Sequence, residues 1–385
     1  MQDVTSTIPL SLYIHFPWCI QKCPYCDFNS HAVTNTLPEE IYINTLLDDL
    51  AQDIKFFQET RLIRSIFMGG GTPSLFSAIQ IQRLLLGIQQ YIHFSDDIEI
   101  TLEANPGTFE SAKFAAFREI GINRLSIGIQ SFHDQHLKRL GRVHSASEAI
   151  TAVQMAKQVG FDNFNLDLMF GLPDDSGHDS EQDVEQALAL EPSHISFYQL
   201  TVEPNTYFYK YPPVLPDDEL IYTQQLACQK RLSIQGYSQY EISAYAQVGK
   251  QCRHNINYWS FGDYLGIGAG AHGKITQALP NKIIRSLKPK QPEQYLRQQQ
   301  NDRTQQVIAV HDLALEFVMN HLRLKGGFSL VNYRQRTGLE LDSLQPALAK
   351  CMQQGLLLEQ HQHYFCSEKG WHFLDNILEN FLNAV

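Results

Sequence analysis

Cys19, Cys23 and Cys26 stand within eight residues, in the stretch Cys19-Ile-Gln-Lys-Cys23-Pro-Tyr-Cys26-Asp-Phe28, of a chain that holds seven cysteines in all. Three thiolates at CxxxCxxC spacing on one short loop can converge on a single soft metal centre and leave a coordination position open for something other than cysteine. Two other readings compete for the same residues: a zinc site completed by His15 or His31, and packing of small buried thiols. Cys228, Cys252, Cys351 and Cys366 are scattered singly, without the paired spacing of a zinc knot. The opening Met-Gln-Asp-Val carries no apolar leader, so a reducing cytoplasm is the expected compartment and a disulfide framework is not expected.

Composition excludes several classes. Thirty basic against 41 acidic residues give a net charge of −11, which leaves no electrostatic footprint for nucleic acid. No run approaches the ~18 consecutive apolar residues of a membrane span. Integral membrane insertion is therefore not expected, although peripheral contact is compatible with the sequence. Hydrophobic residues make up 43% of the 385, enough to bury the core of one large α/β unit with a satellite domain.

The cysteine loop follows a β-rich run, Ser11 to Phe16, that stops at Pro17. From there strands and helices alternate. Helix Pro38 to Phe57 leads to strand Ser65 to Met68 and the turn Gly69-Gly70-Gly71-Thr72-Pro73; helix Ala78 to Ile92 leads to strand Ile98 to Ala104. Helix Phe109 to Ile120 precedes strand Arg124 to Gln130, helix Ala146 to Val159 precedes Asn165 to Phe170, and helix Asp179 to Leu190 precedes His194 to Leu200. Six strands alternating with helices predict a parallel sheet of right-handed βαβ crossovers, an α/β partial open (β/α)6 TIM-like barrel. In such folds the site gathers at the C-terminal ends of the strands. The cysteine loop, the triple glycine, Glu103, Gln130 and Asp167 all fall there.

Beyond residues 1–245 comes a connecting segment, 246–290, of different character. It holds Cys252-Arg-His254-Asn255-Ile-Asn-Tyr258-Trp259 and then Gly266-Ile-Gly-Ala-Gly-Ala-His272-Gly273. The glycines do not read as a dinucleotide fingerprint, because no clear strand precedes them and no amphipathic helix follows. Residues 291–385 lose the strand–helix rhythm. They predict a smaller, mostly helical, winged-helix-like domain with helices near His311 to Leu322, Leu330 to Thr337 and Leu344 to Gln354, a hairpin from Leu356 to Cys366, and a last helix to Leu382.

With Gly69-Gly70-Gly71-Thr72 beside the cysteine loop, the sequence resembles the radical S-adenosylmethionine superfamily. Within it, Tyr13-Ile-His-Phe-Pro-Trp-Cys19, Glu103-Ala-Asn-Pro106, Ser126-Ile-Gly-Ile-Gln130, Gly141-Arg142 and Asp167-Leu-Met-Phe-Gly-Leu-Pro173 resemble the subgroup of oxygen-independent coproporphyrinogen III oxidase (HemN) and its relatives. The resemblance implies that Cys19, Cys23 and Cys26 hold a 4Fe-4S cluster. It also implies that Tyr13, Gly70, Gly71, Thr72, Glu103, Gln130, Arg142 and Asp167 form the S-adenosylmethionine site, with the glycine turn showing backbone groups to the methionyl part.

Two departures separate the chain from the oxidase. Phe28 stands where the oxidase has a fourth cysteine, and only 18 residues precede Cys19. Both features resemble the oxidase-like heme chaperones (HemW), as does the HNxxYW segment. That resemblance implies His254, Tyr258 and Trp259 as heme contacts, and apo-hemoproteins, respiratory ones among them, as recipients. Imidazole can ligate iron and aromatic rings can pack on a macrocycle. Two functions stay open from the sequence, heme delivery and anaerobic decarboxylation of coproporphyrinogen III, and with them whether the chain acts as an enzyme. A zinc-stabilised binding protein is a third reading, and pairing of two chains is compatible with the sequence.

Overall fold

In strand β1 (Leu10–Phe16), Leu10, Leu12, Ile14 and Phe16 enter one continuous apolar core while Ser11, Tyr13 and His15 face the other way. The same alternation governs the next five strands: β2 (Ile63–Gly70), β3 (Phe94–Ala104), β4 (Arg124–Gln130), β5 (Phe164–Phe170) and β6 (His194–Gln199). Because side chains along a strand point to opposite faces with a period of two, the apolar set of each strand packs outward under the helices. The intervening residues, such as Glu99, Glu103, Arg124, Ser126, Asn165 and Asp167, are turned to the concave side. The site residues are thus carried by the polar phase of the strands. The computed structural model describes residues 8–107, 112–175, 177–277, 282–297 and 304–382.

β1 to β6 are parallel and lie side by side in chain order, as successive βαβ crossovers require. Helices Glu39–Phe57, Ala78–Tyr91, Ala146–Gln158 and Asp179–Ala189 form where the apolar spacing predicts them. The helix at Ala146 starts in a capping box, with Ser145 accepting from the Glu148 N–H and the Glu148 side chain accepting from the Ser145 N–H. Of the helix expected from Phe109, residues 109–111 lie outside the described residues and the helix runs Phe114–Glu119.

The sheet does not end with six strands. β7 (Ser238–Glu241) and β8 (Ala244–Ala246) continue it antiparallel beyond β6. On the other side β9 (Asp263–Ile267) pairs parallel to β1, and β10 (His272–Gln277), β11 (Lys282–Leu287) and β12 (Thr304–Val307) follow antiparallel. Among the described residues this makes a twelve-stranded sheet. The glycine-rich segment, expected to have no preceding strand, therefore begins with one and turns straight back as another. Its glycines are needed for contact: a Cβ on Gly270 would stand 2.3 Å from Asn29 Nδ2.

Helices Leu313–His321, Leu330–Thr337 and Ala347–Gln353 and a small sheet of Phe328–Ser329, His363–Cys366 and Leu357–Gln360 build a second core. The hairpin beside the helices has the winged form expected. Phe261 reaches into this core against Phe317, with ring centroids 5.7 Å apart.

Candidate functional site

Two cavities open at the C-terminal ends of the parallel strands. The first, of about 400 Å³, is lined by all three loop cysteines and by Gly70, Gly71, Thr72, Glu103, Gln130, Arg142 and Asp167. All three thiols are free. Cys19 sits on a two-residue parallel bridge with Ala32, and the Cys26 N–H donates to the Cys23 carbonyl at 3.1 Å. Burial pushes the Cys19 thiol up to about 11, and the neighbouring Cys26 and Cys23 add to the rise. The three cysteines thus line one cavity. Soft donors gathered at one cavity wall fit a cluster held by three thiolates.

The glycine turn positions this loop. Gly71 N–H donates to the Phe16 carbonyl and Thr72 N–H to the Trp18 carbonyl, each at 2.7 Å. A Cβ on Gly71 would stand 2.4 Å from the Trp18 carbonyl oxygen, so only glycine allows the two segments to close. Gly70 N–H donates to Glu103 Oε2 at 3.1 Å. The amide donors of Gly70, Gly71 and Thr72 are therefore engaged within the protein, so the backbone groups such a turn can show to a ligand are its carbonyls. Side chains around the turn add further hydrogen-bonding groups.

Those side chains form connected pairs. Asn105 Nδ2 donates to Thr72 Oγ1 at 3.0 Å, Arg142 Nη2 donates to Asn105 Oδ1 at 2.6 Å, and Arg142 Nη1 lies 3.7 Å from the Cys23 sulfur. Asp167 accepts from Ser126 (3.1 Å), Asn165 (2.8 Å) and Tyr198 (3.2 Å). Burial raises the Asp167 pKa against these hydrogen bonds. Burial, followed by the charge of Asp167, pushes Glu103 up to about 8. Two desolvated carboxyl groups facing one cavity suit a ligand with a cationic centre and hydroxyl donors. Gln130 ends β4 with φ +71°, in the left-handed region, and a bulge between Gly128 and Gln130 accompanies it. Asn105, Ser126, Asn165 and Tyr198 join the residues expected from the sequence, and the alternation along β4 to β6 places all but Asn105 on the concave face.

Tyr13 does not line the first cavity. It lines a second, of about 590 Å³, with Phe67, His254 and Tyr258, and Phe28, Gly70 and Glu103 face both spaces. The Tyr13 hydroxyl lies 2.9 Å from His15 Nδ1, and His15 Nε2 lies 2.8 Å from the Asn29 carbonyl. A carbonyl can only accept, so Nε2 carries the proton and Nδ1 accepts from Tyr13. His254 stands on helix Arg253–Trp259, whose first amides are capped by Glu99: Arg253 N–H donates to Oε1 at 2.9 Å and His254 N–H at 3.4 Å. Its ring stacks on Phe67 at 5.1 Å. Burial, then the charge of Arg124, lowers its pKa to about 3. The imidazole is neutral at physiological pH and keeps a lone pair for a metal. Trp259 turns away from this cavity. The Arg323 guanidinium lies over its ring at 4.4 Å, so the residue docks the C-terminal domain.

Residues 13–187 match the radical SAM superfamily and residues 308–373 match the HemN C-terminal domain. The heme chaperone HemW of Haemophilus influenzae is 48% identical over 377 residues, covering 97% of this chain and 98% of the relative. The chain belongs to the HemW family. HemW of Escherichia coli is 47% identical over 375 residues, again with 97% and 98% covered. The structure of E. coli coproporphyrinogen III oxidase (HemN) superimposes with a TM-score of 0.82 at 22% identity, covering 99% of this chain and 92% of the oxidase. HemW membership thus combines with the α/β radical SAM fold, and that superfamily implies a 4Fe-4S cluster and S-adenosylmethionine. Among the described residues no helix is long and apolar enough to cross a membrane.

Proposed function

We propose that this chain binds heme and delivers it to apo-hemoproteins, on a radical SAM scaffold. Cys19, Cys23 and Cys26 would hold the 4Fe-4S cluster, and Glu103, Gln130, Arg142, Asp167 and Thr72 would surround S-adenosylmethionine in the first cavity. A bound cluster supplies reducing electrons, and S-adenosylmethionine supplies the sulfonium they can cleave. The chain's own residues bind, orient and exclude water. Seven free thiols are in keeping with a reducing cytoplasm.

The observation that carries heme as cargo is the second cavity: a neutral, buried histidine set among Tyr13, Phe67 and Tyr258, separate from the space the cysteines line. Its size falls in the range of ligand pockets. Aromatic walls pack on a flat macrocycle, and a neutral imidazole can ligate its iron. The full chain, reconstituted anaerobically with iron and sulfide, is expected to take up heme with a Soret band and to pass it to an apo-hemoprotein. No uptake at micromolar heme overturns the reading. Turnover of coproporphyrinogen III with formation of 5′-deoxyadenosine in a parallel anaerobic assay would replace it with the oxidase reading.

A further inference from the structure

The second cavity is not uniformly apolar. Tyr13, Phe67, His254 and Tyr258 belong to its aromatic part, Glu103 stands on the wall shared with the cysteine cavity, and two cations, Arg285 and Lys290, complete the lining. In a chain of net charge −11, a ligand cavity whose lining holds a single carboxylate and two permanent cations is set against the general field.

Both cations are placed by backbone pairing. Arg285 lies on β11 opposite Lys274 of β10. Lys274 is committed to Asp263, with Nζ 2.8 Å from Oδ1. Arg285 is ion-paired with Glu316, outside the lining, through one guanidinium nitrogen, and its Nε has no partner among the described residues. A guanidinium has five donors, so most of its capacity is unspent. Lys290 is held by its main chain: Asn29 Nδ2 donates to the Lys290 carbonyl at 2.8 Å, and Gly270 N–H donates to the preceding Pro289 carbonyl at 2.8 Å. His272 lies near both cations. Burial lowers its pKa first, and the charges of Arg285 and Lys290 lower it further.

We infer that Arg285 and Lys290 form a carboxylate-binding rim, so that the cavity selects a flat apolar ligand bearing carboxylates at one edge. On the heme reading proposed above, on which this rests, those groups are the propionates. Arg recognises carboxylates through paired N–H donors and Lys as a point charge, and both hydrogen bonds are charge-assisted. The aromatic part of the cavity then takes the macrocycle and the basic part its polar edge.

The test titrates the reconstituted full chain with heme and with heme dimethyl ester, whose propionates are capped. Wild type is expected to bind heme about tenfold more tightly than the ester, the equivalent of one good charged contact. R285M/K290M is expected to bind heme as weakly as wild type binds the ester, and to bind the ester unchanged. K290M, at an exposed side chain, keeps the fold and is expected to lose part of the discrimination. Equal affinity of wild type for both ligands overturns the inference while heme binding stands. Equal loss of both ligands in the variants overturns it as well. Binding of neither ligand to wild type overturns the heme reading itself.

Discussion

Gly70 N–H donates to Glu103 Oε2 at 3.1 Å, and these two residues, with Phe28, line both cavities. One peptide and one carboxyl group thus separate the space of the cysteines from the space of His254. Gly70 holds φ +107° with His15 packed against it, leaving no room for a Cβ on that side. The Gly70 part of the partition is backbone and cannot be moved by a rotamer change, whereas the Glu103 part is a side chain held by its hydrogen bond to Gly70.

Glu103 gives the partition a pH dependence. Its pKa rises from 4.5 to about 8, so the folded, ligand-free protein keeps a proton that the unfolded chain releases. Its contribution to stability therefore falls as pH rises through that window. Denaturant unfolding of the apoprotein is expected to show this slope, and E103Q to flatten it. A cationic ligand seated against the group favours the carboxylate, so S-adenosylmethionine affinity, measured by equilibrium dialysis, is expected to rise with pH toward about 8. An E103Q profile identical to wild type would count against that seat.

Gly71 tests how the glycine turn holds the cysteine loop. The Cβ of G71A would meet the Trp18 carbonyl, one residue before Cys19. A backbone clash of this kind costs about 1–3 kcal/mol. Urea unfolding should show that loss, and iron and sulfide analysis after reconstitution should show a lower cluster content than wild type.

His254 and Trp259 stand on one helix but differ in surroundings. H254A is expected to weaken heme binding by about tenfold or more and to shift the Soret band, as loss of an iron ligand does. W259L removes the contact with Arg323 instead. Heme affinity should stay near wild type while the thermal midpoint falls, since a cation–π contact is worth about 0.5–2 kcal/mol. A larger heme defect in W259L than in H254A would reverse the assignment.

Arg142 ties Asn105, the Gly128 carbonyl (2.8 Å) and the Cys23 sulfur together. R142M strands these acceptors, each at about 1–3 kcal/mol where buried. Both a lower unfolding midpoint and weaker S-adenosylmethionine binding by dialysis are expected. Retention of wild-type binding would limit Arg142 to a structural role.

The sequence by itself determined the cysteine loop, the six parallel strands and the winged C-terminal unit, because each is written in local spacing: thiols three and four apart, apolar periods of two and 3.6. The alternation Ser11, Tyr13, His15 against Leu12, Ile14, Phe16 was equally legible and marks the concave face. Only the tertiary structure decided which concave residues meet. Tyr13 on β1 and Glu103 on β3 are ninety residues apart, and the strand order and the hydrogen bond from Gly70 place Glu103 between two cavities and Tyr13 in one of them. The pairing of β9 with β1 likewise brings the glycine-rich segment, and with it Arg285 and Lys290, to the aromatic cavity. Long-range strand pairing is set by the burial of whole faces rather than by any short stretch of residues, so no local pattern announces it.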